Sequence, residues 1–488
     1  MDFPLTLDDA NGQPLYRQLC EELRRSILTG RLQPGQRVPS TRALARTLGI
    51  SRATTALSYE ELISEGYLEA ARGSGTFVCR LLPDALLRAA PVEAGKGYAS
   101  KAAPRLSAFG AGLTAAVQPK PPGAKGVISF ARHRPDYTRL PLRQWNRLLA
   151  RHARSAPRAV FDDVYNPLGH RPLRESIARY LTRARAARCD PEQVIICAGS
   201  QQAIDLTSRV LVDRGDTVAL EDPCYVGARQ IFQAQGAKLL PVPVDDSGMV
   251  VAWLDCRAGS EAKLVYVTPS HQYPKGTLLS LPRRLELLAW AARNDAFIIE
   301  DDYDSEYRYC GRPVPALQGL DRGGRVIYAG TFSKVLFPAL RIGYLIAPPS
   351  LVEVLGRAKM LADRQSPMLE QYVLADFIEE GHLERHVRRM RTLYGNRRRA
   401  LVSALTKYFD GRVEVTGQSA GMHLLARLRT GLDDEEVVAR ARAANVEVMS
   451  AREFYLRAAP SDEFIFSFPT LSERQIAEGI RRLAKALA

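Results

Sequence analysis

The sequence of 488 residues predicts a multidomain chain. A helix-turn-helix with a hairpin wing comes first, then a linker, then a large α/β domain with a mostly parallel sheet and a smaller C-terminal α+β part. Three observations carry this. Residues 12–79 are dense in short helical patterns punctuated by serine and glycine; residues 80–126 are rich in Ala, Pro, Gly and Lys with few large apolar side chains; from Val127 onward, short β-branched runs alternate with helical segments. A hydrophobic content of 46% suits domains with sizeable cores. No apolar run reaches the roughly 18 residues of a membrane span, and "MDFPLTLDDANGQPLYRQL" is acidic and polar where a signal peptide is basic and then apolar. A cytoplasmic protein is expected. Seven cysteines without a CxxC pair predict reduced thiols.

The first module is read from spacing. Leu15, Leu19, Leu23 and Ile27 recur at helical intervals and Gly30 stops the run. In "PSTRALARTLGISRATTALSYEELISEG", Ser40 caps a short helix, Gly49 turns sharply, and Ser51 caps a second helix whose Leu57 and Leu62 are expected to face inward. A short glycine turn between two helices is the layout in which the second helix offers its N-terminal residues to DNA bases, with Arg52 foremost. "GYLEAARGSGTFV" then reads as two strands and a glycine-rich tip, a wing able to approach a groove or phosphate closely. The formal charge of +15 favours a polyanionic partner, but residues 1–80 hold ten arginines against nine carboxylates, so the excess lies elsewhere, notably in "RHVRRMRTLYGNRRRA". Residues 80–126 follow as a flexible linker.

Within 127–488, the runs "QVIICAG", "DTVALED", "AKLVYVTP", "FIIEDD" and "RVIYAGT" are buried-strand patterns separated mostly by helices, a large part to about 349; residues from about 350 to 488 give long helices and shorter strands. Functional groups are expected at the strand ends. There, Lys334 sits in "TFSKVLF" among apolar neighbours; taken alone it reads as a snorkelling surface lysine, but a lysine held near apolar surface and a cation loses its charge readily and can attack an aldehyde, and the residues around it favour that reading. Asp301 and Tyr303 in "EDDYDSEYRY" can hold a pyridine nitrogen and a phenolate oxygen. Acidic strand ends also bind metals, but no histidine or further carboxylate pair stands nearby at ligand spacing, and no metal is expected. "CAGSQQAI" is a strand, a Gly199-Ser200 turn and a helix start, an anion site by its free amides. Tyr225 offers a flat face for an aromatic ring. Together these parts describe a site for pyridoxal 5′-phosphate.

"LQPGQRVPSTRALA" and "GSGTFV" closely resemble the winged helix-turn-helix of the GntR family. "YNPLGHRPLRESIARYL", "GSQQAIDL", "DPCYVG", "TPSHQYPKG", "EDDYDSEYRY" and "GTFSKVLFPALRIGY" resemble fold-type I aminotransferases, and specifically the MocR subfamily, in which the two are fused. The resemblance implies DNA contacts from Ser40, Arg42, Ser51, Arg52, Thr54 and Gly73. It implies Lys334 as the internal aldimine, Asp301 on the pyridine nitrogen, Tyr303 on the phenolate oxygen and Tyr225 stacked on the ring. Gly199, Ser200, Gln201, Thr331, Ser333 and Arg341 would cradle the phosphate. Tyr165 would reach the neighbouring subunit's phosphate, so a homodimer, domain-swapped, is implied. Two departures stand out. "DEFIFSFPTLSE" lacks the arginine that clamps a substrate carboxylate, with Arg452 as a substitute; and Tyr273 replaces an asparagine near the phenolate, with His271 or Gln272 as substitutes. The expectation is a transcription regulator that senses the vitamin B6 cofactor or an amino compound, the alternative an active aminotransferase carrying a DNA-binding domain.

Overall fold

Leucine at every fourth position makes the first helix amphipathic, and α1 (Leu15–Leu28) buries Leu19, Leu23 and Ile27. The computed structural model that shows this describes residues 7, 12–84, 105–113, 126–155, 166–311 and 314–488. The chain divides into two compact units, Met1–Arg105 and Leu106–Ala488.

In the first unit, α2 (Thr41–Leu48) starts where the Ala43 amide donates to Ser40 Oγ at 3.2 Å and ends at Gly49, whose φ of 68° is the left-handed conformation glycine tolerates. Helix α3 (Arg52–Ser64) starts where the Thr54 amide donates to Ser51 Oγ at 3.0 Å. Leu62 is buried as expected, but Leu57 is 47% exposed. Positions five apart on a helix point away from each other, and the inward stripe is instead Thr55, Ser58, Tyr59 and Leu62 at intervals of three and four. Strands β1 (Leu68–Ala71) and β2 (Gly75–Val78) pair antiparallel with Ala71 opposite Gly75, leaving Arg72, Gly73 and Ser74 as the tip. Ser51→Ala should destabilise this unit by about 1 kcal/mol through loss of the cap, measurable as a lower thermal midpoint of the winged helix.

In the second unit, β3 (Ile128–Ser129) precedes eight strands of one sheet: β4 (Val194–Cys197), β5 (Thr217–Asp222), β6 (Lys238–Asp245), β7 (Gly248–Met249), β8 (Ala262–Val267), β9 (Phe297–Asp302), β10 (Val326–Thr331) and β11 (Gly343–Ile346). Their order is β4-β11-β10-β9-β8-β5-β6-β7, with β10, β9, β8, β5 and β6 parallel and β11 antiparallel to both neighbours. The five strand runs read from the sequence are β4, β5, β8, β9 and β10, all deeply buried as runs covered by helices must be. A smaller sheet follows, from β12 (Val413–Thr416), β13 (His423–Leu428), β15 (Met449–Ser450) and β16 (Glu463–Ser467), while β14 (Val446–Glu447) pairs with β3. That last pairing ties the start of the unit to its C-terminal part.

The stretch read as a flexible linker is not wholly so. Residues Ala108–Leu113 form a short helix in the second unit, and Gly112 packs beside Ala234, where a Cβ would meet the Ala234 backbone at 3.7 Å. Within it, residues 85–104 and 114–125 lie outside the described residues.

Candidate functional site

The carboxyl ends of β4, β5, β8, β9 and β10 converge, and side chains alternate across each strand, so one strand end can serve two purposes. On β9, Glu300 accepts the Leu317 and Gln318 amides at 2.9 and 2.8 Å, and Asp302 accepts from Arg185 Nε at 2.8 Å and Tyr328 Oη at 2.6 Å. Asp301 points to the other face. Its Oδ2 accepts from Tyr266 Oη at 2.7 Å, whereas its Oδ1 is buried with no protein partner. Burial pushes the Asp301 carboxyl up to about 7; Asp302 and Asp304 act in the same direction, the Tyr266 bond and Lys334 against it. A buried carboxylate oxygen without a donor is costly, and a pyridinium N–H is the donor that would satisfy it.

Lys334 follows β10, and its Nζ donates to His133 O at 2.8 Å. Burial lowers its pKa to about 8; Asp304 and Asp301 oppose that shift and Arg134 assists it. The lowered value means a sizeable neutral fraction near physiological pH, and the neutral amine is the nucleophile. Capture of an aldehyde at Lys334 should therefore accelerate as pH rises through about 8 and level off above it, read by stopped-flow absorbance; an ordinary lysine would keep accelerating towards its usual value of 10.5.

Tyr303 Oη lies 3.0 Å from His271 Nδ1 and donates to His271 O at 2.8 Å. The two residues suggested in place of the asparagine part ways here. His271 faces Tyr303, but Gln272 is consumed by the loop itself: its Nε2 donates to Pro223 O at 2.7 Å and its Oε1 accepts the Lys275 amide at 3.1 Å. Tyr225 is half-buried, with its Oη donating to Gln201 Oε1 at 3.1 Å.

The candidate anion site is the passage from β4 into the helix Ser200–Leu211. Gly199, at φ 108°, leaves room beneath the Arg341 guanidinium, which hydrogen-bonds Ala198 O. Gly343 approaches so closely that a Cβ on it would lie 2.7 Å from Gly199 Cα, bringing β11 and Arg341 against the helix start. Thr331 Oγ1 accepts the Ser333 amide at 3.1 Å on the same side of the sheet. Gly199, Ser200, Thr331, Ser333 and Arg341 thus gather at the ends of β4 and β10, with Gln201 beside Tyr225. Tyr165 lies outside the described residues. Arg452, suggested as a carboxylate clamp, is instead committed to Asp434, which accepts from its Nε at 3.0 Å.

In the first unit, Ser40, Arg42, Ser51, Arg52 and Gly73 are exposed and Thr54 is half-buried. Ser40 and Ser51 are helix caps, and the Ser51 and Thr54 hydroxyls lie 2.8 Å apart. Sequence reasoning missed Arg37. It bridges to Phe77 at the wing and lies over Gly75, where a Cβ would meet its Nε at 2.7 Å, placing a second guanidinium beside the hairpin.

An exposed helix-turn-helix and wing in one unit, and a mostly parallel sheet with Lys334 and Asp301 at its strand ends in the other, are the parts of a DNA-binding regulator built on an aminotransferase-like scaffold. Comparison with known proteins agrees. Residues 15–78 match the bacterial regulatory proteins of the gntR family, and residues 125–483 match the aminotransferase class I and II family. The probable rhizopine catabolism regulatory protein MocR of Rhizobium meliloti is 40% identical over 99% of this chain and 95% of its own length. The pyridoxine biosynthesis transcriptional regulator PdxR of Corynebacterium glutamicum is 36% identical over 81% of this chain and 80% of its own. Among solved structures, the α-aminoadipate aminotransferase LysN of Thermus thermophilus aligns with a TM-score of 0.68 at 33% identity, covering 74% of this chain and 92% of that one. The chain belongs to the MocR subfamily of GntR transcriptional regulators. Among the described residues, no helix is long and apolar enough to cross a membrane.

Proposed function

We propose that the second unit binds pyridoxal 5′-phosphate covalently through Lys334, and that occupancy of this site, by the cofactor alone or with an amino compound, sets how the winged helices engage DNA. The observation that carries the proposal is the pairing of a depressed lysine with Asp301, whose buried Oδ1 has no protein partner. Asp301 would hold the pyridine nitrogen, Tyr303 the phenolate oxygen and Tyr225 the ring face. Gly199, Ser200, Gln201, Thr331, Ser333 and Arg341 would hold the phosphate. When bound, the cofactor supplies an electrophilic carbon for amines and a ring able to store electrons. Tyr165 of a second copy would complete the cradle in a homodimer, and two winged helices per dimer would then read two half-sites.

Borohydride reduction of cofactor-loaded protein, followed by peptide mapping, tests the covalent part: a pyridoxyl adduct on Lys334 is expected, and its absence from that side chain would overturn the proposal. Asp301→Asn removes the anionic partner while keeping an acceptor for Tyr266, so cofactor should dissociate at least ~10-fold faster in that variant, one tenfold step being about 1.4 kcal/mol.

A second reading, an active aminotransferase carrying a DNA-binding domain, is favoured by the likeness to solved aminotransferases over about three quarters of the chain. Against it stands the engagement of Arg452 by Asp434. Single-turnover conversion of the bound cofactor to its amine form, with a panel of amino acids, separates the readings; fast conversion by a common amino acid favours the enzyme.

A further inference from the structure

Beside Lys334, the fold gathers polar groups that the cofactor reading does not use. His133 follows β3, Asp304 follows β9 and His423 opens β13, so the three belong to separate parts of the scaffold. One ligating atom from each lies within 4.8 Å of the other two. His423 is fully buried; its Nε2 is 3.0 Å from Pro274 O, the position of an N–H donor, which leaves the lone pair on Nδ1. That Nδ1 and His133 Nε2 are both buried with no hydrogen-bond partner. His133 Nε2 lies 3.7 Å from Asp304 Oδ2, too far for a hydrogen bond. We propose that His133, Asp304 and His423 form a binding site for a divalent transition-metal ion of the zinc class.

The chemistry of the donor set supports this. Two imidazoles and one carboxylate are borderline ligands suited to zinc, cobalt and nickel and ill suited to calcium or magnesium, which favour oxygen.

The outer contacts are those that orient ligands. Pro274 O fixes the His423 ring, and the Met422 amide, donating at 3.1 Å, fixes Asp304 Oδ2. Bond lengths of about 2.0–2.2 Å to zinc place tetrahedral ligand atoms roughly 3.3–3.6 Å apart, so the widest pair here must close by up to about 1.5 Å. Three protein ligands leave at least one position open. Lys334 is the nearby cation that opposes a metal ion, so neutralising or removing it should tighten binding.

The two histidines are remote in sequence from Asp304, so no ligand-spacing motif exists to read. The inference does not rest on the cofactor reading, and its readout is separate. Full-length protein freed of metal by a chelator is titrated with Co²⁺ and followed by visible d–d absorption. One equivalent per chain is expected. His133→Ala and His423→Ala should each weaken binding at least ~10-fold, and His386→Ala, at a buried histidine outside the site, should leave it unchanged. His423→Cys should keep the ion and add a thiolate-to-cobalt charge-transfer band, which guards against misreading a folding failure in the alanine variant. Lys334→Ala should bind Co²⁺ at least as tightly while losing the cofactor, so failure of one reading is distinguishable from failure of the other. Absence of d–d bands in the wild type, or bands unchanged in both alanine variants, would overturn the proposal.

Discussion

Lys334→Ala loses the covalent cofactor entirely. The visible band of cofactor-loaded protein above ~400 nm, which requires the ring conjugated through a carbon–nitrogen double bond, should vanish, and borohydride should leave no pyridoxyl label. Loss is expected to be complete rather than partial, because the amine held at the end of β10 is that of Lys334, whose Nζ donates to His133 O. The cradle should nevertheless remain. Asp301 keeps its bond from Tyr266, and Arg341 keeps its bond to Ala198 O. Weak, reversible cofactor binding should therefore persist, detectable by equilibrium dialysis. The free variant should bind operator DNA like the free wild type, since the winged helix folds on its own core of Leu19, Leu23, Tyr59 and Leu62. Only the response to cofactor should disappear.

Arg52→Ala does the reverse. Arg52 is the first residue of α3, exposed, and next to the Ser51 cap that fixes the helix start. A guanidinium at that position can read a guanine edge or clamp a phosphate, and removing a bidentate base contact costs roughly tenfold to a hundredfold in operator affinity. A base contact would relax specificity at one operator position. A phosphate contact would weaken all sequences alike and reduce the salt dependence by about one counterion. Fluorescence anisotropy with operator and scrambled duplexes at two salt concentrations distinguishes the two. The cofactor band should be untouched in this variant, because Arg52 belongs to the other compact unit.

Much of this was legible in the sequence because the relevant signals are local. Caps at Ser40 and Ser51, the Gly49 turn, the wing tip and the buried strands β4, β5, β8, β9 and β10 are each written within a few consecutive residues. Strand β6 escaped because "KLLPVPVD" carries two prolines, and prolines argue against a paired strand; β6 tolerates them near the sheet edge, where it pairs with β5 on one side and only the two-residue β7 on the other. Leu57 was misplaced by treating any leucine in a helix as core. The helix Ala108–Leu113 hides in a composition typical of linkers.

The site divides in the same way. Lys334, Asp301, Tyr303 and the Gly199–Ser200 turn are recognisable because each stands at the end of a strand that the sequence announces. The roles of Gln272 and Arg452 were not recognisable. Whether a polar side chain serves a ligand or ties down its own loop depends on partners far away in the chain, Pro223 for one and Asp434 for the other. The histidines around Asp304 were invisible for the same reason.

The central claim is that occupancy at Lys334 changes DNA binding. Two states must bind the cofactor unequally for that to hold, and by reciprocity the cofactor must then change operator affinity. The direct measurement is a footprint and an affinity for the operator, taken for wild type with and without pyridoxal 5′-phosphate and for Lys334→Ala under the same conditions. A shift in affinity or in the protected boundaries for the loaded wild type, absent from the variant, is the predicted result. Identical affinities and footprints in all three would contradict it.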